Sequence, residues 1–131
     1  MPFADGYADM IYMCHVLEHV KRNDLNSVLA EMWRILKDGG VLRLSVPGFD
    51  ELVEFYNRSG QDISSISLQL MGGQNHPYNF HYSVFNQRGL TELLKEAGFN
   101  PVMPWDPGSC ENHDFKDRAF REISLNIEGV K

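Results

Sequence analysis

A chain of 131 residues, 43% of them apolar, has room for a single domain (1–131) built on one hydrophobic core. Its 12 Lys and Arg against 18 Asp and Glu, a formal charge of -6, exclude a broad nucleic-acid or anionic-membrane surface, because a phosphate-binding face needs a cationic excess. No apolar run approaches the roughly 18 residues of a membrane helix, and the opening MPFADGYAD has no basic region followed by an apolar stretch, so a cytoplasmic protein with Cys14 and Cys110 as reduced thiols is expected.

The run ADMIYMC, residues 8–14, is apolar on both faces after its first residues, which predicts a strand covered by helices on both sides. Asp24 is placed to cap a helix in which Leu25, Val28, Leu29, Met32, Ile35 and Leu36 recur at three- and four-residue spacings, and the glycines of KDGG are expected to end it. VLRLSV, residues 41–46, predicts a second strand stopped by Pro47; strand, helix, strand at this spacing is a right-handed crossover onto a parallel neighbour. Asp50 is expected to cap a further helix carrying Leu52, Val53, Phe55 and Tyr56, and Asp62 a short one with Ile63, Ile66 and Leu70. GGQNHPYNFHYS, residues 72–83, has no period and many hydrogen-bonding and aromatic side chains, which makes it a candidate binding loop. Asn86 predicts an N-cap, with Phe85 and Leu90 at the two positions of a hydrophobic staple and Gly98 as the stop. NPVMPW and EISLNIEGVK predict strands, the second with Ile123, Leu125 and Ile127 alternating; an antiparallel pair is the simplest way to join them.

Between the first strand and the first helix lies His15-Val16-Leu17-Glu18-His19, which matches the HxxEH pattern of the inverzincin peptidases. That motif needs both histidines on one helix face, whereas His15 follows a strand directly, so only the later residues are expected to enter helical geometry. No metal ligand set is expected; zinc peptidase stands as the remote alternative. Glu18 reads as a first-turn carboxylate favoured by the helix dipole.

Taken in order and spacing, PFADGYADMIYMCHVLEHV, EMWRILKDGGVLRLSVP and FHYSVFNQRGLTELLKEAGF, followed by SLNIE, resemble the second half of a class I S-adenosylmethionine-dependent methyltransferase of the type 11-like group. The resemblance implies an α/β, Rossmann-like sheet whose strands here are 4-5-7-6, strand seven antiparallel, with helices on both faces and ligand at the carboxyl ends of the strands. It also implies S-adenosylmethionine as cofactor and a small-molecule acceptor. The sequence departs from the family in having no glycine-rich GxGxG loop after a first strand, and no acidic residue after a second, because Met1 falls where the family has reached the loop before strand four.

By the same resemblance Cys14, His15 and Val16 face the methionine part of the cofactor, and His19 stands close to the reaction centre. The substrate falls on the loop that carries Asn75, His76, Tyr78, Asn79, His81 and Tyr82. His81 is the first candidate for a base, since histidine titrates near neutrality; the plain alternatives are a packed helix residue for His19 and an ordinary loop histidine for His81. If strands one to three are absent, strand four becomes an edge with unpaired backbone, which implies a homo-oligomer through residues 8–14 or the helix from 24 to 36. A non-catalytic remnant or a truncated fragment that does not bind cofactor alone is the other reading.

Overall fold

The computed structural model describes residues 2–109 and 118–131. The first strand, β1 (Ala8–Cys14), lies where ADMIYMC predicts it. A 3-10 turn over Arg22–Asp24 leads into α1 (Leu25–Ile35). Asp24 occupies the N-cap position, but its side chain makes no capping hydrogen bond; the entry is set by the turn itself, closed by the Asp24 N–H on the Lys21 carbonyl at 2.9 Å.

The end of α1 differs from the expectation that KDGG stops it. Leu36 is already extended, at φ -68° and ψ 141°, and opens β2 (Leu36–Pro47). The reason lies in the segment entering β1: the Gly6 N–H donates to the Arg34 carbonyl at 3.0 Å and the Tyr7 N–H to the Ile35 carbonyl at 2.7 Å, which satisfies helix-end acceptors from outside the helix. Leu36 is thereby drawn into the core, fully buried. β1 pairs in parallel with β2, Ala8 beside Leu36 but Met10 beside Val41, so Lys37–Gly40 bulge out of the ladder. Gly39, at φ +79°, makes the reversal that the bulge needs.

Three helices follow. In α2 (Phe49–Arg58) the N-cap is Gly48, not Asp50, which instead joins Glu51 in the first turn, where a negative charge complements the helix dipole. α3 (Ser64–Met71) has Ile63, not Asp62, at its N-cap position; Asp62 stands one residue earlier and steadies the entry, its Oδ1 accepting the Ser64 N–H at 3.0 Å. α4 (Gln87–Glu96) also follows its sequence signals: Asn86 Oδ1 accepts the Gly89 N–H at 2.9 Å, Phe85 and Leu90 are buried, and Gly98 turns the chain away at φ +100°.

β3 (Val102–Pro104) and β4 (Ser124–Val130) complete a sheet in the order β1-β2-β4-β3, β4 running antiparallel to both neighbours. This is the 4-5-7-6 order expected, with strand seven reversed. Leu42, Leu44 and Val46 of β2 and Leu125 and Ile127 of β4 point to one face, where α1 supplies Leu29, Met32 and Ile35, α4 supplies Leu90 and Leu94, and Phe99 fills the space between. Leu52 and Ile66 of α2 and α3 meet Ile123 in a second, smaller cluster.

Arg43 pairs across the ladder with Glu128 at 2.9 Å on the opposite face, its guanidinium 5.2 Å from the centre of the Trp105 ring, which Tyr12 meets edge-on. Trp105 and the segment at Ala119, whose carbonyl accepts from Asn126 Nδ2 at 3.0 Å, cover this face. Among the described residues no helix is long and apolar enough to cross a membrane.

Candidate active site

The carboxyl ends of β1 and β2 lie side by side, Cys14 opposite Ser45. Beyond Cys14 the chain leaves the sheet at once: His15 adopts the left-handed region at φ +51°, and its N–H donates to the Ser45 carbonyl at 2.7 Å. Val16 stays exposed, Leu17 is fully buried, and Leu17–His19 form a single 3-10 turn. His15 and His19 therefore do not share a helix face, and the HxxEH pattern does not build the inverzincin arrangement.

His15 Nε2 lies 2.8 Å from Ser124 Oγ at the start of β4. The Ser124 hydroxyl donates to the Arg118 carbonyl at 2.6 Å, so toward His15 it accepts, and Nε2 carries a hydrogen. The other nitrogen, Nδ1, faces Glu18 Oε1 at 3.4 Å. Glu18 is the first-turn carboxylate that the sequence suggests, here of the 3-10 turn, but its side chain is 1% exposed, and neither oxygen has a hydrogen-bond partner among the described residues.

The 72–83 loop folds back onto this turn, pinned by the Tyr82 N–H on the Glu18 carbonyl at 2.8 Å. The fold-back sets the His81 ring edge-on to His19, centroids 4.6 Å apart. His19 Nδ1 stands 3.1 Å from the Phe80 carbonyl and His81 Nδ1 2.8 Å from that of Gln69. A carbonyl only accepts, so both Nδ1 atoms carry hydrogen, and in the neutral form of each ring the lone pair is on Nε2. Burial lowers the pKa of His81 from its ordinary value, against the opposing pull of the Gln69 carbonyl and the Glu18 charge. The three imidazoles line a cavity of about 170 Å³, with Pro47, Asn79 and Arg121 also on its wall.

Besides His81, Asn79 of the substrate-loop candidates reaches this cavity, and Asn75 holds it there by accepting from Asn79 Nδ2 at 2.7 Å. His76 and Tyr78 sit at the exposed loop tip, Tyr78 84% exposed, and Tyr82 lines shallow depressions outside the cavity. Cys14 is half-buried at the strand end and Val16 points outward, so of the three candidates for the cofactor His15 alone lines the cavity with its side chain. Arg118, Arg121 and Ser124 were not foreseen as site residues. They arrive from a segment about which no motif speaks, Ser124 lying 109 positions after His15.

Gly72 holds the loop's return, at φ +76°, with a Cβ there meeting the Asn79 carbonyl oxygen and the His81 nitrogen of the main chain. Gly72→Ala is expected to cost ~1–3 kcal/mol through a strained backbone conformation and to lower the Tm. A melting temperature unchanged from that of the parent would show that the loop does not close in this way.

Residues 2–103 match the family described as a methyltransferase domain. The chain belongs to that family. A ubiquinone/menaquinone biosynthesis C-methyltransferase of Psychromonas ingrahamii is 29% identical over 99 residues, covering 73% of this chain and 39% of the relative. A probable S-adenosylmethionine-dependent methyltransferase of Mycolicibacterium smegmatis is 31% identical over 100 residues, covering 76% and 31%. This methyltransferase domain thus spans less than two-fifths of the length of those relatives.

Solved structures agree on the fold. A possible histamine N-methyltransferase of Thermotoga maritima superposes with a TM-score of 0.60 at 20% identity, over 100% of this chain and 59% of the other. A Burkholderia thailandensis 1,6-didemethyltoxoflavin N1-methyltransferase with bound S-adenosylhomocysteine gives 0.61 at 19%, over 98% and 45%. The cofactor expected from the sequence is the one that this family uses.

Proposed function

We propose that the protein transfers the methyl group of S-adenosylmethionine to a small-molecule acceptor at the carboxyl ends of β1 and β2. The observation that carries this reading is the convergence of His15, His19 and His81, from two distant segments, on one cavity at the strand ends where an α/β sheet binds its ligand. S-adenosylmethionine, when bound, supplies a methyl group on a sulfonium; the carbon–sulfur bond breaks as the bond to the acceptor forms, and the sulfonium becomes a neutral thioether.

Such an in-line displacement is governed by alignment, which the protein's own residues provide. The turn at Cys14, His15 and Val16 borders the donor. Asn79, steadied by Asn75, orients the acceptor. His81, whose burial favours the neutral ring, offers Nε2 to a proton leaving the acceptor, with His19 edge-on beside it. A cavity of about 170 Å³ suits the transferred methyl and the reacting end of the acceptor. That is less than the ~300 Å³ at which small-molecule pockets begin, so the nucleoside needs surface beyond it. Calorimetric titration with S-adenosylhomocysteine tests the reading: micromolar affinity supports it, and silence at millimolar ligand overturns it in favour of a domain that does not bind cofactor alone.

The outer flank of β1 supports a second copy as partner. Phe3, Tyr7 and Met10 are exposed there beside a cleft floored by Met32 and Ile35, and β1 is a sheet edge. Light scattering at tens of micromolar is expected to give a dimer or higher species, with Met10→Lys shifting it toward monomer; a monodisperse monomer of the parent chain would count against that.

A further inference from the structure

We propose that Glu18, His19 and His81 form a binding site for a first-row divalent transition-metal cation. The inference deepens the methyl-transfer reading, on which its placement beside the acceptor rests, and assigns the two imidazoles a more specific part. Three observations carry it. One ligand atom from each of the three side chains lies within 4.8 Å of the other two. Ligands around a single such ion at ~2.0–2.2 Å stand ~3–4 Å apart, so side-chain adjustments of about an ångström close the set.

The second observation is the state of the rings. His19 and His81 both spend Nδ1 on a backbone carbonyl, of Phe80 and Gln69, which fixes the tautomer and leaves Nε2 as a lone-pair donor. Metal-binding histidines are oriented by this same device, the second ring nitrogen donating to a carbonyl or carboxylate. Two independent backbone contacts, from residues 11 positions apart, give both rings the ligating form.

The third observation is Glu18. A carboxylate that is 1% exposed with both oxygens unpartnered among the described residues is costly to bury unless positive charge meets it. His15 Nδ1 stands 3.4 Å away and makes no hydrogen bond to it. His15 Nε2 already carries the hydrogen given to Ser124, so in the neutral ring Nδ1 would turn a second lone pair toward the carboxylate. A cation shared by Glu18 and the two imidazoles removes that conflict.

Two nitrogens and one oxygen suit zinc and its neighbours better than magnesium, which prefers oxygen throughout. Three protein ligands leave positions open toward the cavity, where an acceptor hydroxyl, acid or amine can reach the ion. A lone pair given to a cation is not available to a proton. His81 then holds the ion beside the acceptor instead of taking the acceptor's proton.

The test uses chelator-treated protein titrated calorimetrically with Zn2+ alone, and with Mg2+ alone, at neutral pH. One site per chain with micromolar or tighter affinity for Zn2+, at least tenfold weaker for Mg2+, is expected. Glu18→Gln and His81→Asn should each weaken Zn2+ binding tenfold or more, while His76→Asn, at the exposed loop tip, leaves it unchanged. Circular dichroism of each variant shows whether it is folded; His19→Asn serves in place of one that is not. Zn2+ affinity indifferent to Glu18 and both ring substitutions, or no binding at all, overturns the proposal. Titration with S-adenosylhomocysteine on the same samples separates the two readings: cofactor binding without zinc binding defeats the cation site alone, and zinc binding without cofactor binding leaves the cation site and defeats the transfer reading.

Discussion

Phe99→Ala is expected to lower the unfolding free energy by ~3–5 kcal/mol, the range for removing a large aromatic side chain from a core that cannot collapse around the gap. Phe99 is 1% exposed and lies in the cluster that joins both sides of the domain, α1 and β2 on one hand, α4 and β4 on the other. Gly129 of β4 faces it so closely that a Cβ on the glycine would come within 2.8 Å of the Phe99 Cβ. The ring is therefore packed against main chain, which does not move to refill space. For a domain of this size the loss corresponds to a fall in Tm of roughly 10–20 °C. Urea denaturation measures it, and a loss under about 1 kcal/mol would mean that Phe99 does not bridge the two halves of the core.

Glu18→Leu carries the opposite sign. In chelator-treated protein it is expected to raise stability by ~1–3 kcal/mol, because an enclosed carboxylate without hydrogen-bond partners is replaced by an apolar side chain of similar size. Leu17, beside it, is fully buried, so the site already accommodates aliphatic packing. Functional sites commonly trade stability for activity. A fall in stability of similar size would show that the carboxylate has an internal partner, and would weaken the view that it is held ready for a cation.

Where element identity depends on local patterns, the sequence was a good guide. Asn86 three positions before Gly89, with Phe85 and Leu90 astride it, defines α4 because caps and staples are contacts between near neighbours. The alternation at Ile123, Leu125 and Ile127 defines β4 for the same reason, since a strand with one buried face must alternate. The end of α1 was misread because Leu36 obeys the backbone of Gly6 and Tyr7, not its own position in the apolar stripe. Gly48 takes the cap expected of Asp50 because its N–H is claimed by the Ile123 carbonyl, a partner 75 positions on.

The candidate site divides along the same line. His15, His19 and His81 could be singled out from a strand end and an aperiodic polar loop, and all three reach the cavity. His76 and Tyr78 belong to the same loop and miss it, since a loop's residue types do not say which of them face inward once Gly72 has turned the chain. Glu18 stands in a first turn as its position suggests, but its burial has no local signal, since the 72–83 loop returns onto that turn. That loop is anchored on the Glu18 carbonyl by Tyr82, a contact no spacing rule anticipates.

The reversed strand β4 sits between β2 and β3, and its first residue, Ser124, is the one that meets His15. The wall of the cavity that holds Arg118, Arg121 and Ile123 thus belongs to the part of the chain translated last among those that line it. While the ribosome still covers that stretch, β1, β2 and their crossover helix can form but His15 has nothing to lean on. A chain interrupted before β4 would consequently hold the three histidines but lack the Arg118, Arg121 and Ile123 side of the cavity.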